Sequence, residues 1–148
     1  TAQLLAAHFL TLVIQFLLTT TLIFTKVPLI SALLNINDSA AERDEVYERW
    51  NTWLTALIST AIILAIVELG LLLSGATLPR TGFSCAAATT HAVGSMFLLS
   101  MQLNGWGIDT YLVVFVLCSV LPATAAAAPP AFRLYARGKV LEAVEIRI

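Results

Sequence analysis

The chain has 148 residues, 59% of them hydrophobic and 11% charged, with a formal net charge of −1 and a mean hydropathy of +0.89. Soluble domains carry about 25% charged residues, so this composition excludes an ordinary water-soluble domain and indicates an integral membrane protein. The near-neutral charge gives nucleic acid no electrostatic footprint. The absence of any Ser-His-Asp, Cys-His or Gly-rich phosphate pattern argues against an enzyme with a small-molecule substrate.

About 20 apolar residues cross the hydrocarbon of a bilayer. Residues 4–24, 53–73, 84–101 and 111–128 form four such runs. They predict an all-α membrane protein: a four-transmembrane-helix bundle over residues 1–130, with short connections, one longer first loop and a short C-terminal tail at 131–148. The runs are continuous and do not alternate, which argues against a β-barrel. The first ends at Lys26 and Pro28. Residues 27–34 then read as a short interfacial helix, with Val27, Ile30 and Leu34 at helical spacing. Asn37-Asp38-Ser39 is an N-glycosylation sequon, making Asn37 a candidate acceptor. Ser39 and Glu42 also match a capping box. The second helix is therefore predicted to begin near residue 40 and to project about 20 Å into water before Trp50 and Trp53 mark the interface. Pro79-Arg80-Thr81-Gly82 and Asn104-Gly105-Trp106-Gly107 read as turns, with Asp109 as N-cap of the last helix. The tail is basic, and its end fits a helix or a strand equally well. Cys85 and Cys118 fall in apolar runs and read as buried, reduced thiols. The chain opens at Thr1, not methionine, which leaves room for a preceding targeting segment.

Four spans put both termini on one side. That side carries Arg80, Arg133, Arg137, Lys139 and Arg147, and the other carries Lys26, Arg43 and Arg49. The asymmetry favours cytosolic termini.

Glu68 is the only charged residue inside the four runs. An acidic residue at the centre of a membrane helix costs about 2.5–3.5 kcal/mol, so it is expected to face other helices and find a partner there. His8, Thr11, Gln15 and Thr19 share one face of the first helix, and Ser84, Ala88, His91 and Ser95 share one of the third. Ala61, Ala65, Glu68 and Gly75 line one side of the second. Small residues let membrane helices approach and polar groups then bond across the contact, so these stripes should meet. Glu68 and His8 lie at similar depth, about 6–9 Å from mid-span toward the termini, with His91 nearer the middle. A Glu68–His91 or Glu68–His8 hydrogen bond is the expected latch, as a neutral pair or an ion pair. Two His and one Glu could also ligate a metal, or the two His a haem. Neither His is paired with another ligand three or four residues away, and there is one carboxylate, so no cofactor and no metal is the expectation. A proton or ion path is disfavoured by the single carboxylate and the absence of repeat symmetry.

Trp106, Thr110-Tyr111, Phe115-Val116, Cys118-Ser119 and Leu121-Pro122-Ala123 resemble the last-helix segment of the transmembrane protein 107 family. Val67-Glu68-Leu69 followed by Leu73-Ser74-Gly75 resembles its second helix, acidic residue included, and His91 matches a His of its third. The resemblance spans roughly residues 5–128, and the tail departs from it. It implies a non-enzymatic tetraspan protein of the ciliary transition zone that recruits other membrane proteins and supports a diffusion barrier. The alternatives are an accessory subunit of a large complex, for example in the mitochondrial inner membrane, and a haem or quinone carrier. Tyr111, Phe115, Cys118, Pro122 and Ala125 recur on one helical face. That face serves either a partner or packing within the bundle, and Pro122 is expected to kink its helix.

Overall fold

The computed structural model describes residues 2–31, 33–34, 39–75, 81–104 and 108–128. These form helices α1 (Ala2–Ser31), α2 (Ala40–Leu73), α3 (Thr81–Asn104) and α4 (Ile108–Phe115). A π-helical turn, Val116–Val120, continues α4 into helix over 121–128. Four helices are long and apolar enough to cross a membrane, and there is no strand among the described residues. The protein is an all-α, four-span membrane bundle. The tail, Asn37, and residues 79–80 and 105–107 of the two expected turns lie outside the described residues, while Thr81, Gly82 and Asn104 belong to α3 and not to turns.

The bundle is built around α1, which packs most extensively against α3 and then α2. Side-chain contacts fix the directions. Lys26 donates to Thr55 Oγ1 at 2.6 Å, and His8 meets Glu68 at 3.3 Å, so α2 runs antiparallel to α1. Gln102 donates to the Leu18 carbonyl at 3.1 Å while His91 lies level with Gln15, so α3 runs parallel to α1.

The buried polar side chains gather toward the termini side of the interior, beside buried Leu12 and Leu72. Leu22, Leu29, Ile30, Leu54, Ile58, Leu98, Met101, Tyr111 and Val114 form an apolar core in the half away from the termini. His8, Gln15, Glu68, Ser84 and His91 are buried in the other half. Outward faces present Leu10, Leu17, Ile63, Ile66 and Leu112, all exposed, for contact with lipid.

Residues 27–31 are no separate interfacial helix, because α1 runs straight through Pro28. The proline removes one backbone donor. Burial of Leu29 and Ile30 against the start of α2 holds the chain helical regardless, and Ser31 Oγ donates to the Pro28 carbonyl at 2.9 Å. The capping box opens α2: the Glu42 amide donates to Ser39 Oγ, and the Ser39 amide donates back to Glu42 Oε2 at 2.9 Å. Most of the polar stretch between the first two spans is thus absorbed into helix. Gly75 takes φ 72° just past the end of α2, the left-handed geometry that stops a helix. It therefore lies beyond the stripe of Ala61, Ala65 and Glu68. Asp109 falls inside α4 and not at its cap. Cys118 is buried, but Cys85 is exposed on the outside of α3, because the sequence shows that a thiol lies in a span and not which way it points.

Candidate functional site

All four helices contribute to one buried polar network, α1 with two side chains and each of the others with one or more groups. Residues 8 and 15 are two turns apart, so His8 and Gln15 share the buried face of α1. Glu68 comes from α2 and His91 from α3, each at most 2% exposed. His91 Nε2 lies 3.0 Å from Glu68 Oε1, and His8 Nε2 lies 3.3 Å from the same oxygen. His91 Nδ1 lies 2.6 Å from Gln15 Oε1. Gln15 Nε2 donates to the Cys118 carbonyl at 3.0 Å and to Ser119 Oγ at 3.3 Å, both in the π turn. The structure thus brings Glu68, His91, His8 and Gln15 together. Phe83 approaches the His8 ring edge-on at 6.2 Å, closing it off from the termini side.

The proline of the last helix orders this network. A proline four residues on cannot donate to a helical carbonyl, and residue 118 is four before Pro122. The π turn, closed by the Leu121 amide bonding the Val116 carbonyl, takes up the resulting misfit. The Cys118 carbonyl then accepts a hydrogen bond from Gln15 Nε2, as membrane interiors demand of a freed backbone group. A carbonyl only accepts, so the amide nitrogen of Gln15 must face Cys118 and its oxygen must face His91. His91 Nδ1 therefore carries a proton. Its Nε2 either accepts from a protonated Glu68 or donates to an ionised one. In both arrangements one proton lies between them, His8 Nε2 donates to Oε1, and the cluster stays neutral overall, as burial in hydrocarbon favours. His8 Nδ1 is left buried without a partner among the described residues. A cavity of about 10 Å³ lies beside Gln15, Glu68, His91 and Cys118, enough for the centre of one water.

Cys118 also packs closely against α3. A Cβ built on Gly94 would stand 2.7 Å from Cys118 Cβ and 3.3 Å from Gln15 Oε1, so only glycine fits. Tyr111 is 1% exposed and Pro122 is buried, while Phe115 is half-buried with its ring 6.4 Å from that of Tyr111. The motif face therefore points into the bundle. Past the π turn its register moves by one residue, so that Ala126 is buried and Ala125 is exposed. Trp106 lies outside the described residues. Sequence reasoning missed Gly94, Ser119 and the role of the Cys118 carbonyl. The last had a signal in the sequence: the carbonyl four residues before any proline in a membrane helix needs a new donor.

Residues 4–129 match the sequence profile of the family described as TMEM107, transmembrane protein. The chain belongs to the transmembrane protein 107 family. It is 30% identical to human transmembrane protein 107 over 117 residues, covering 79% of this chain and 81% of the relative. The zebrafish (Danio rerio) protein is 27% identical over 121 residues, 82% of this chain and 87% of that protein, and the rat (Rattus norvegicus) protein is 28% identical over 117 residues, 79% and 81%. No solved structure matches the chain. The family match ends at residue 129, so it takes in every helix that contributes to the network and leaves out most of the tail.

Proposed function

We propose that this family member is a non-enzymatic membrane organiser of the ciliary transition zone, recruiting other membrane proteins and supporting a diffusion barrier, with the buried network as the latch that fixes its shape. Membership in the family supports the setting. The observation that carries the scaffold reading is that Glu68, His91, Gln15 and the Cys118 carbonyl bond to one another across all four helices. Apart from His8 Nδ1, the polar groups of the network are satisfied internally, and the cavity beside them, about 10 Å³, is far below the roughly 300–1,000 Å³ of a small-molecule site. What remains for recognition is the outside: the lipid-facing surface and the charged turns of α2 that project beyond the span. A partner that docks on the last helix meets Leu112, Val113, Val116 and Leu117, which are exposed, and not the inward motif residues.

The test is the location of a tagged full-length chain in ciliated cells, with Glu68→Leu beside it. Signal at the cilium base, lost or reduced in the variant while the chain still inserts, supports the reading. Signal in the mitochondrial inner membrane would overturn it and favour the accessory-subunit role.

A further inference from the structure

The reading of His8, Glu68 and His91 as a latch explains why they meet, and a second property of the same cluster rests on that convergence. Their donor atoms, His8 Nε2, Glu68 Oε1 and His91 Nε2, all lie within 4.8 Å of one another. Two of the separations are 3.3 and 3.0 Å. Donors at 2.0–2.1 Å around a tetrahedral zinc ion stand about 3.3 Å apart, close to these two separations, and the third lies within 4.8 Å. We infer that His8, Glu68 and His91 form an intramembrane binding site for one divalent transition-metal ion, zinc by donor set.

Four observations converge on this assignment. The donors are two imidazoles and one carboxylate, a set that holds zinc with a fourth position open. They come from α1, α2 and α3, so the absence of paired ligands along any one helix has no bearing on them. His91 already has the arrangement of a metal ligand: its Nδ1 proton bonds Gln15 Oε1, which leaves Nε2 as the metal-binding lone pair. Gln15 is in turn held by the Cys118 carbonyl that Pro122 frees. His8 has no such anchor on Nδ1, so Glu68 and His91 are the fixed ligands and His8 the adjustable one. The cavity bordered by Glu68 and His91 has room for one water, which can fill the open position. Charge also closes. The ion displaces the proton shared by Glu68 and His91, the Nε2 proton of His8 moves to its unpartnered Nδ1 so that Nε2 can ligate, and a bound water that ionises to hydroxide neutralises what remains, a step zinc makes accessible near neutral pH.

The experiment uses the full chain purified in lipid nanodiscs, washed with chelator and titrated with zinc chloride. Metal content is read by mass spectrometry, the thermal midpoint by unfolding, and the ligand field by cobalt substitution. Wild type should hold one zinc per chain and gain roughly 5–10 °C at a hundredfold excess over Kd. Cobalt should give the visible bands of a tetrahedral ion. Glu68→Gln can still hydrogen-bond to both histidines but lacks the anionic ligand. It should fold, elute as wild type, and lose the zinc, the midpoint gain and the cobalt bands, as should His8→Gln. A wild type that takes up no zinc and shows no gain overturns the metal site. The latch would then stand or fall separately, on whether zinc-free Glu68→Leu is less stable than zinc-free Glu68→Gln. Zinc retained equally by wild type, Glu68→Gln and His8→Gln would also overturn the site, because the ion would sit elsewhere.

Discussion

Glu68 is tolerable in hydrocarbon because two imidazoles face a single one of its oxygens and because the proton between it and His91 keeps the cluster neutral. A change that keeps hydrogen bonding is therefore milder than one that removes it. Glu68→Gln should cost less than about 1 kcal/mol. Glu68→Leu strands His8 and His91 and should cost about 2–3 kcal/mol, measured by reversible unfolding in mixed micelles without added metal. Equal losses would mean that the hydrogen bonds contribute nothing. Gln15 offers a sharper test, since one of its partners, the Cys118 carbonyl, is left without its helical donor by Pro122. Pro122→Ala returns a backbone donor to the Cys118 carbonyl and removes the need for the Gln15 amide. A double-mutant cycle of Gln15→Leu and Pro122→Ala should show a coupling of about 0.5–1.5 kcal/mol, with Gln15→Leu less costly in the alanine background. Additive effects would disconnect the two residues.

At the scale of elements, α3 and the π turn of the last helix approach closely at Gly94 and Cys118. The methyl group of Gly94→Ala would meet Cβ of Cys118 at 2.7 Å, backed by helix, so it cannot be relieved by rotating a side chain. The substitution should destabilise by about 1–3 kcal/mol, and Cys118→Gly in the same chain should recover part of the loss. Thermal midpoints of the three variants decide this, and no recovery would place the strain elsewhere. Cys118→Trp should likewise destabilise the folded bundle, with crosslinks from position 118 falling within the chain. Helix α1 shows the same principle of packing over local preference: Pro28 would be expected to end it, yet burial of Leu29 and Ile30 carries it on to Ser31.

Across the whole molecule, the half of the bundle away from the termini has an apolar core, and the other half holds the buried polar network among apolar side chains such as Leu12 and Leu72. Lys26 with Thr55, and the exposed Trp53, mark the boundary on the side opposite the termini. The basic residues are denser on the termini side, so the termini are expected to be cytosolic. A reporter introduced by Ala41→Cys and one placed in the tail should be labelled by an impermeant reagent from opposite sides of sealed vesicles. Labelling of both from one side would refute the four-span topology.

The membrane class, the number of spans and the start of α2 follow from the amino-acid sequence alone, because each depends on local quantities: apolar run length, a capping pair and the cost of a charge in lipid. The polar stripes were legible for the same reason, since helical spacing puts His8 with Gln15 and Ser84 with His91 on one face. Only the tertiary structure decided that both histidines share one oxygen of Glu68, because spacing within a helix says nothing of its rotation or depth against another. The same limit hid the Gly94–Cys118 contact, the burial of Tyr111 and the outward turn of Cys85. The same limit meant that spacing along single helices could not show that three helices bring one candidate ligand each to one point. The link from Pro122 through the Cys118 carbonyl and Gln15 to the tautomer of His91 stands between these cases. Its first step is local and present in the sequence, and its remainder exists only once four helices pack.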